Sequence, residues 1–150
     1  MKLSFLFLRL VLGWIYFYAG ITKVLNPSWS AKGYLMSAKN FVSFYSWFSN
    51  PQILPIVNFL NAWGLTLLGL SLILGIFVRL SSFLGIILML LYYFVLPFPK
   101  PNPNSFIVDD HIVYVFILIL FIAIKAGRFY GLDGYLSQKT WYQKFEKFLG

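Results

Sequence analysis

The chain contains no cysteine, a single histidine and four acidic residues among 150, and each shortage closes off a class of function. Without cysteine there is no disulfide, thiolate metal site, cysteine-ligated iron–sulfur cluster or thiol relay. One histidine excludes bis-histidine haem ligation within the chain. Charged residues make up only 11% of the sequence, against about 25% in a soluble domain. Hydrophobic residues make up 60%, and the mean hydropathy is +0.79. A water-soluble domain and a disordered chain are both excluded, and the sequence reads as an integral membrane protein.

Charges are sparse enough to mark the spans, because a helix crossing a ~30 Å hydrocarbon core needs roughly 20 mostly apolar residues. Four segments qualify, over about residues 3–25, 53–77, 80–98 and 111–129. The apolar run at the N-terminus continues to Leu25 without a small-residue cleavage site, which predicts a first span and not a cleaved signal peptide. Even span number puts both ends on one side, with Lys2, Arg9, Arg79, Lys125, Arg128, Lys139, Lys144 and Lys147. Lys23, Lys32, Lys39 and Lys100 fall on the other. Eight basic residues against four predict cytoplasmic termini under the positive-inside rule. The formal charge of +8 thus reads as topology and contact with anionic membrane lipids, with no nucleic acid implied.

Between the first two spans, residues 26–50 open with Asn-Pro-Ser-Trp, where Asn26 can cap a helix and Pro27 fits its first turn. Tyr34, Ala38, Phe41, Tyr45 and Phe48 recur at helical spacing, so an outer interfacial helix is predicted over about 27–48. The tail over about 135–149 combines Trp141, Tyr142, Phe145 and Phe148 with three lysines, the pattern of an amphipathic inner-leaflet anchor. A proline-punctuated outer loop, Pro97 to Pro103, ends the third span. Small-residue pairs Ser71/Gly75, Ser81/Gly85 and Ala123/Gly127 allow close helix approach, including by a second copy of the chain in a homo-oligomer. The expected fold is all-α: one domain over residues 1–150, a four-helix membrane bundle with an outer interfacial helix and a C-terminal amphipathic helix.

Polar residues inside such a bundle are the informative ones. Arg9, Gly13, Tyr16, Gly20 and Lys23 are spaced four, three, four and three apart, which lines them along one inward face of the first span. Arg9 needs a partner at membrane depth, and Asp133 is the best placed acid, giving a structural charge pair. At the outer end a second cluster assembles from separate spans: Lys23, Asn58 and Asn61, Tyr92 and Tyr93, then Asp110, His111 and Tyr114. Buried amides demand protein, water or a ligand carbonyl as partners. Asp110 can orient or charge the His111 imidazole, which exchanges protons near neutral pH. Such a set suits quinone chemistry, which takes two electrons and two protons and needs donors to the ring carbonyls between aromatic walls; Trp63 is a candidate wall, or a packing residue. The competing reading is that Asp109 and Asp110 merely cap the fourth helix and leave His111 at the headgroups.

Taken in order, Arg9-Leu10-x-x-Gly13-Trp14, Ala19-Gly20-x-x-Lys23, Asn61-Ala62-Trp63-Gly64, Asp110-His111-x-x-Tyr114 and Gly127-Arg128-x-x-Gly131-Leu132-Asp133 resemble the DoxX/DoxD family of small four-span membrane proteins. The Asn-Pro-x-Trp opening of the outer segment is similar to the DoxD branch. That resemblance implies the membrane subunit of a thiosulfate:quinone oxidoreductase in a prokaryotic plasma membrane, oxidising thiosulfate to tetrathionate with membrane quinone as acceptor, beside a DoxA-like second subunit or other redox partner. Asp110 and His111 would then supply protons. Lys23, Asn58, Asn61, Trp63, Tyr92 and Tyr114 would hold the quinone or its anionic co-substrate, with no metal in this chain. The alternatives are a non-catalytic membrane scaffold that recruits a redox partner, which the missing metal ligands favour, and a small-molecule or lipid carrier, which no inverted repeat supports.

Overall fold

The computed structural model describes residues 2–97 and 105–149. Phe98, Lys100 and the loop to Pro103 lie outside the described residues, as do the side chains of Glu146 and Lys147. Eight α-helices follow in order, with no strand among the described residues: α1 Lys2–Val24, α2 Lys32–Met36, α3 Val42–Phe48, α4 Leu54–Leu74, α5 Val78–Val95, α6 Asp110–Ile124, α7 Leu132–Leu136 and α8 Thr140–Leu149. The chain is an all-α membrane helical protein, in which α1, α4 and α5 are long and apolar enough to cross a bilayer.

The fourth apolar helix is shorter than the sequence predicts. α6 has 15 residues, or ~22 Å, because the chain turns left-handed at Lys125 (φ 52°) and continues as a single 3₁₀ turn, Ala126–Arg128. α4 lies chiefly against α1, and α5 chiefly against α6. Leu12, Leu65, Leu68, Leu72, Met89, Leu118 and Phe121 fill the centre. In a bilayer this packing acts through dispersion and shape, since lipid is as apolar as leucine. The exposed Phe7, Val11 and Trp14 of α1, Phe59, Leu60 and Leu67 of α4, and Phe83 and Leu84 of α5 then need no protein partner.

Close approach of α1 to α4 rests on two glycines. A Cβ at Gly20 would overlap the backbone N of Thr66, and one at Gly69 would overlap the backbone N of Phe17. The predicted small-residue pairs act elsewhere: Ser71 Oγ and Ser81 Oγ lie 2.6 Å apart across the α4–α5 hairpin.

The interfacial segment is not one helix. Asn26 Oδ1 accepts from Ser28 N and Oγ instead of capping a helix, and the expected helix breaks between α2 and α3, with Phe41 left-handed at φ 50°. The break has a tertiary cause. The last carbonyls of α5 lack helical partners, and the segment supplies donors there: Tyr34 Oη to Tyr92 O at 2.9 Å, Lys39 N to Val95 O at 3.1 Å, and Asn40 Nδ2 to Leu96 O, while Tyr45 Oη adds a bond to Leu91 O at 2.8 Å one residue earlier. Asn58 Oδ1 takes Ala31 N at 2.9 Å, so the same segment is strapped to α4. Ala31, Leu35, Ala38, Tyr45 and Val95 close a small second core beneath it. Phe41, expected on the same face, is exposed instead.

At the Arg9 end the predicted Arg9–Asp133 pair makes no direct contact, although the two buried charges still act on each other. The Arg9 guanidinium, 1% exposed, donates to Ala126 O at 2.8 Å and Tyr130 O at 3.3 Å. Asp133 accepts from Phe77 N at 2.7 Å, Val78 N at 3.0 Å and the Tyr142 hydroxyl at 2.6 Å. Both side chains are buried and knit the same junction, but each does so through other groups. The carboxylate caps α5 and holds Phe77 at φ 52°, a conformation that costs about 1 kcal/mol or more in a non-glycine residue. Tyr142, grouped by composition with the anchor aromatics, is fully buried and leaves Trp141, Phe145 and Phe148 exposed on α8.

Candidate functional site

Opposite the Arg9 end, a cavity of about 410 Å³ opens between α1, α4, α5 and the α2 segment; its walls include Lys23, Trp29, Tyr34, Asn61, Tyr92 and His111. Lys23 reaches it from the last turn of α1, where a cation suits the helix C-terminus. Its Nζ donates to Asn61 Oδ1 at 3.0 Å and lies 4.9 Å from the Trp29 ring centroid and 5.7 Å from that of Tyr92. Such an aromatic cage holds a desolvated ammonium by about 2 kcal/mol. Asn61 Nδ2 in turn donates to Tyr92 Oη at 2.5 Å, which fixes the amide orientation from both sides. The Tyr92 hydroxyl proton and two protons of the ammonium remain for a ligand.

The histidine completes the wall. The Tyr92 and His111 rings meet edge to face at 5.7 Å, and His111 Nδ1 lies 2.8 Å from Asp109 Oδ2. Asp109 is buried and extended at the start of α6, and its Oδ1 accepts Ile112 N at 3.1 Å. The carboxylate that orients the imidazole is therefore Asp109, while Asp110, the predicted partner, is exposed in the first helical turn. Both sequence readings hold in part: Asp109 does cap α6, and the same carboxylate also pairs with the imidazole. A proton on Nδ1 facing the carboxylate leaves Nε2 for the cavity.

Other predicted residues separate from the cluster. Asn58 lines no part of the cavity and ties down Ala31. Trp63 points away from it, 40% exposed, with its ring 6.3 Å from Phe59. Tyr114 lies deeper and packs edge to face on Tyr16 at 5.7 Å. Trp29 and Tyr34 also wall the cavity, although the sequence singles out neither as a site residue. Burial pushes the Tyr34 hydroxyl up to about 12, with smaller contributions from Tyr45 and Asp109, so it stays a neutral donor to the α5 carbonyl. Among the described residues no group of three or more His, Asp or Glu side chains assembles to hold a metal ion.

The arrangement is one cation and one acid-paired imidazole across a small aromatic-walled space. It can bind a planar or anionic group, donate hydrogen bonds to its oxygens and exchange a proton with it. No curated protein and no solved structure gives a match to this chain. The family model described as DoxX matches residues 4–97, which contain α2 to α5 and all of α1 but its first two residues, and with them Lys23, Asn61 and Tyr92, while Asp109 and His111 lie beyond the match. Covering more than half of the chain, that match establishes the relationship: the protein belongs to the DoxX family.

Proposed function

We propose that the chain is the membrane subunit of a quinone-linked oxidoreductase and that the cavity at the Lys23 end, in the outer leaflet, takes the quinone headgroup. The observation that carries this reading is the continuous set Lys23, Asn61, Tyr92, His111 and Asp109 around one cavity. Lys23 and the Tyr92 hydroxyl donate to a ring oxygen, the rings of Trp29 and Tyr34 bound the space, and His111 delivers a proton that Asp109 holds in place. The chemistry balances with a sulfur donor: two thiosulfate ions join through a new S–S bond into tetrathionate and release two electrons, which with two protons convert quinone to quinol. A DoxD-like role of this kind assigns the sulfur oxidation to a partnership with a DoxA-like second subunit, since the sequence has no cysteine thiol to relay electrons.

The test is quinone bound by the purified protein in lipid nanodiscs, read by native mass spectrometry. Lys23→Gln lowers occupancy by a tail-less benzoquinone about tenfold, the loss of one charge-assisted hydrogen bond, while the thermal unfolding midpoint stays near the parent's. A parent that binds no quinone but retains a redox partner supports the scaffold reading instead.

A further inference from the structure

The polar cavity adjoins two others in series through shared walls. It shares Ala31, Tyr34, Asn61 and Tyr92 with a second cavity of about 190 Å³ beneath α2 and α3. That cavity shares Leu60, Leu88 and Leu91 with a third, an apolar groove of about 800 Å³ running down the cleft between α4 and α5. The cleft exists because α4 leans on α1 and α5 on α6, which leaves their own shared face only partly filled. Its walls are almost entirely aliphatic, with Ser71 and Ser81 paired near the far end and Leu74, Ile76 and Phe77 lining it beyond them.

Gly64 lies in the wall of this groove, and its reason for being glycine differs from that of its neighbours. At Gly20 and Gly69 an added Cβ meets backbone, whereas at Gly64 it meets nothing within 4 Å. A glycine inside a helix loses about 0.5–1 kcal/mol against alanine, and here no close packing offsets the loss. What the missing side chain provides is open groove. On α4 the groove runs from Leu60 to Leu74, ~21 Å at 1.5 Å per residue, against ~15 Å for the hydrocarbon of one leaflet. A phospholipid chain from either leaflet ends before a groove of that length does; an isoprenoid tail continues along it.

From the shared walls, the length and Gly64 we infer that the α4–α5 groove is the tail site of the ligand whose head occupies the Lys23 cavity, so that the substrate is a long-chain isoprenoid quinone that enters sideways from the bilayer. This rests on the quinone reading above and adds to it a second subsite and a selectivity for tail length. The neck at Leu60, Leu88 and Leu91 lets the head pass from groove to cavity beneath α2 and α3.

The experiment compares a tail-less, a short-tailed and a long-tailed quinone with one common headgroup, each titrated as mole fraction into nanodiscs holding the parent, Gly64→Leu, Leu60→Trp or Lys23→Gln protein. Comparison of proteins at one ligand cancels partitioning into lipid. Gly64→Leu is expected to melt no lower than the parent and to raise the half-saturating fraction of the long-tailed quinone about tenfold, leaving the tail-less quinone unchanged. Leu60→Trp, at an exposed position in the neck, gives the same pattern by a route that does not depend on the glycine. If both variants bind the long-tailed quinone as the parent does, while Lys23→Gln still weakens the tail-less one, the groove holds only bulk lipid and the inference is wrong with the head site intact. If the parent binds none of the three, the quinone reading fails and the tail site falls with it.

Discussion

Asp109 serves two partners at once: Oδ2 lies 2.8 Å from His111 Nδ1 while Oδ1 accepts the Ile112 N–H at 3.1 Å. One carboxylate therefore starts α6 and sets the imidazole. The two roles separate chemically, because asparagine caps a helix as well as aspartate does but cannot hold an imidazolium. Asp109→Asn is expected to leave the unfolding midpoint within a few degrees of the parent, and to slow quinol formation about 10²-fold, the lower range for loss of a positioned acid–base group. The measurement is quinone reduction in membranes carrying the chain with its redox partner, beside Asp110→Asn, which should match the parent. Parent-like turnover in Asp109→Asn would remove the pair from proton transfer.

The sequence makes the inward face of α1 legible, since Arg9, Gly13, Tyr16 and Gly20 repeat at helical spacing and all four are buried. It also makes Lys23 and Asn61 legible as members of one outer cluster, because neither group tolerates hydrocarbon alone; that they bond to each other is seen only in the structure. Trp63 is different: it stands two residues from Asn61, about 200° around a helix, so helical geometry by itself sends it to the opposite face. The choice between Asp109 and Asp110 turns on which residue is the N-cap, a boundary that spacing fixes only to within a few residues. The break between α2 and α3 is not written locally at all. It follows from orphan carbonyls at the end of α5, with Asn40 and Leu96 separated by 56 residues.

The junction at the Arg9 end should behave as structure and not as a ligand site. Asp133→Ala leaves two backbone N–H groups and the Tyr142 hydroxyl without their acceptor, a loss of roughly 3 kcal/mol or more. Arg9→Lys replaces a fork that reaches two carbonyls with a single point donor and should lose about 1–3 kcal/mol. Fourteen residues of α1, ~21 Å, separate Arg9 from Lys23, so quinone occupancy in the folded fraction should not change in either variant. Thermal unfolding in detergent beside quinone occupancy decides the matter; an Arg9→Lys protein that unfolds normally but binds less quinone would contradict this assignment.

The α1–α4 contact gives a ranked prediction. At Gly20 and Gly69 the nearest atom in the way of a Cβ is a facing backbone nitrogen, of Thr66 and of Phe17, which cannot swing aside. At Gly13 the nearest atoms are Ile73 Cγ1 and Leu72 Cβ at 3.0 Å and Gly69 O at 3.1 Å, so a shift of a few tenths of an ångström accommodates the methyl. Gly20→Ala and Gly69→Ala should each destabilise by about 3 kcal/mol, at the upper range for overpacking, and Gly13→Ala by about 1 kcal/mol or less. Unfolding of the three alanine variants under one detergent condition tests the order. Equal small losses at all three would mean that the helices separate easily and that the glycines do not set their distance.

The segment over the cavity carries its own pH dependence. Tyr34 must be protonated to donate to Tyr92 O, and burial raises its hydroxyl from the ordinary 10 to about 12 in the folded chain. A group whose folded pKa lies above its unfolded value contributes fully below the unfolded value and loses that contribution as pH rises through the folded one. The strap between α2 and α5 should therefore hold unchanged to about pH 10 and weaken between about pH 10 and about pH 12. Tyr34→Phe removes the dependence together with the bond. Amide hydrogen exchange at residues 32–40, compared between parent and Tyr34→Phe across this window and corrected for the intrinsic rate, reads the effect directly. The parent should approach the variant's exchange only near the upper end. Convergence already at pH 10 would mean that the hydroxyl ionises as an exposed tyrosine does and that it is not the fastening of this segment.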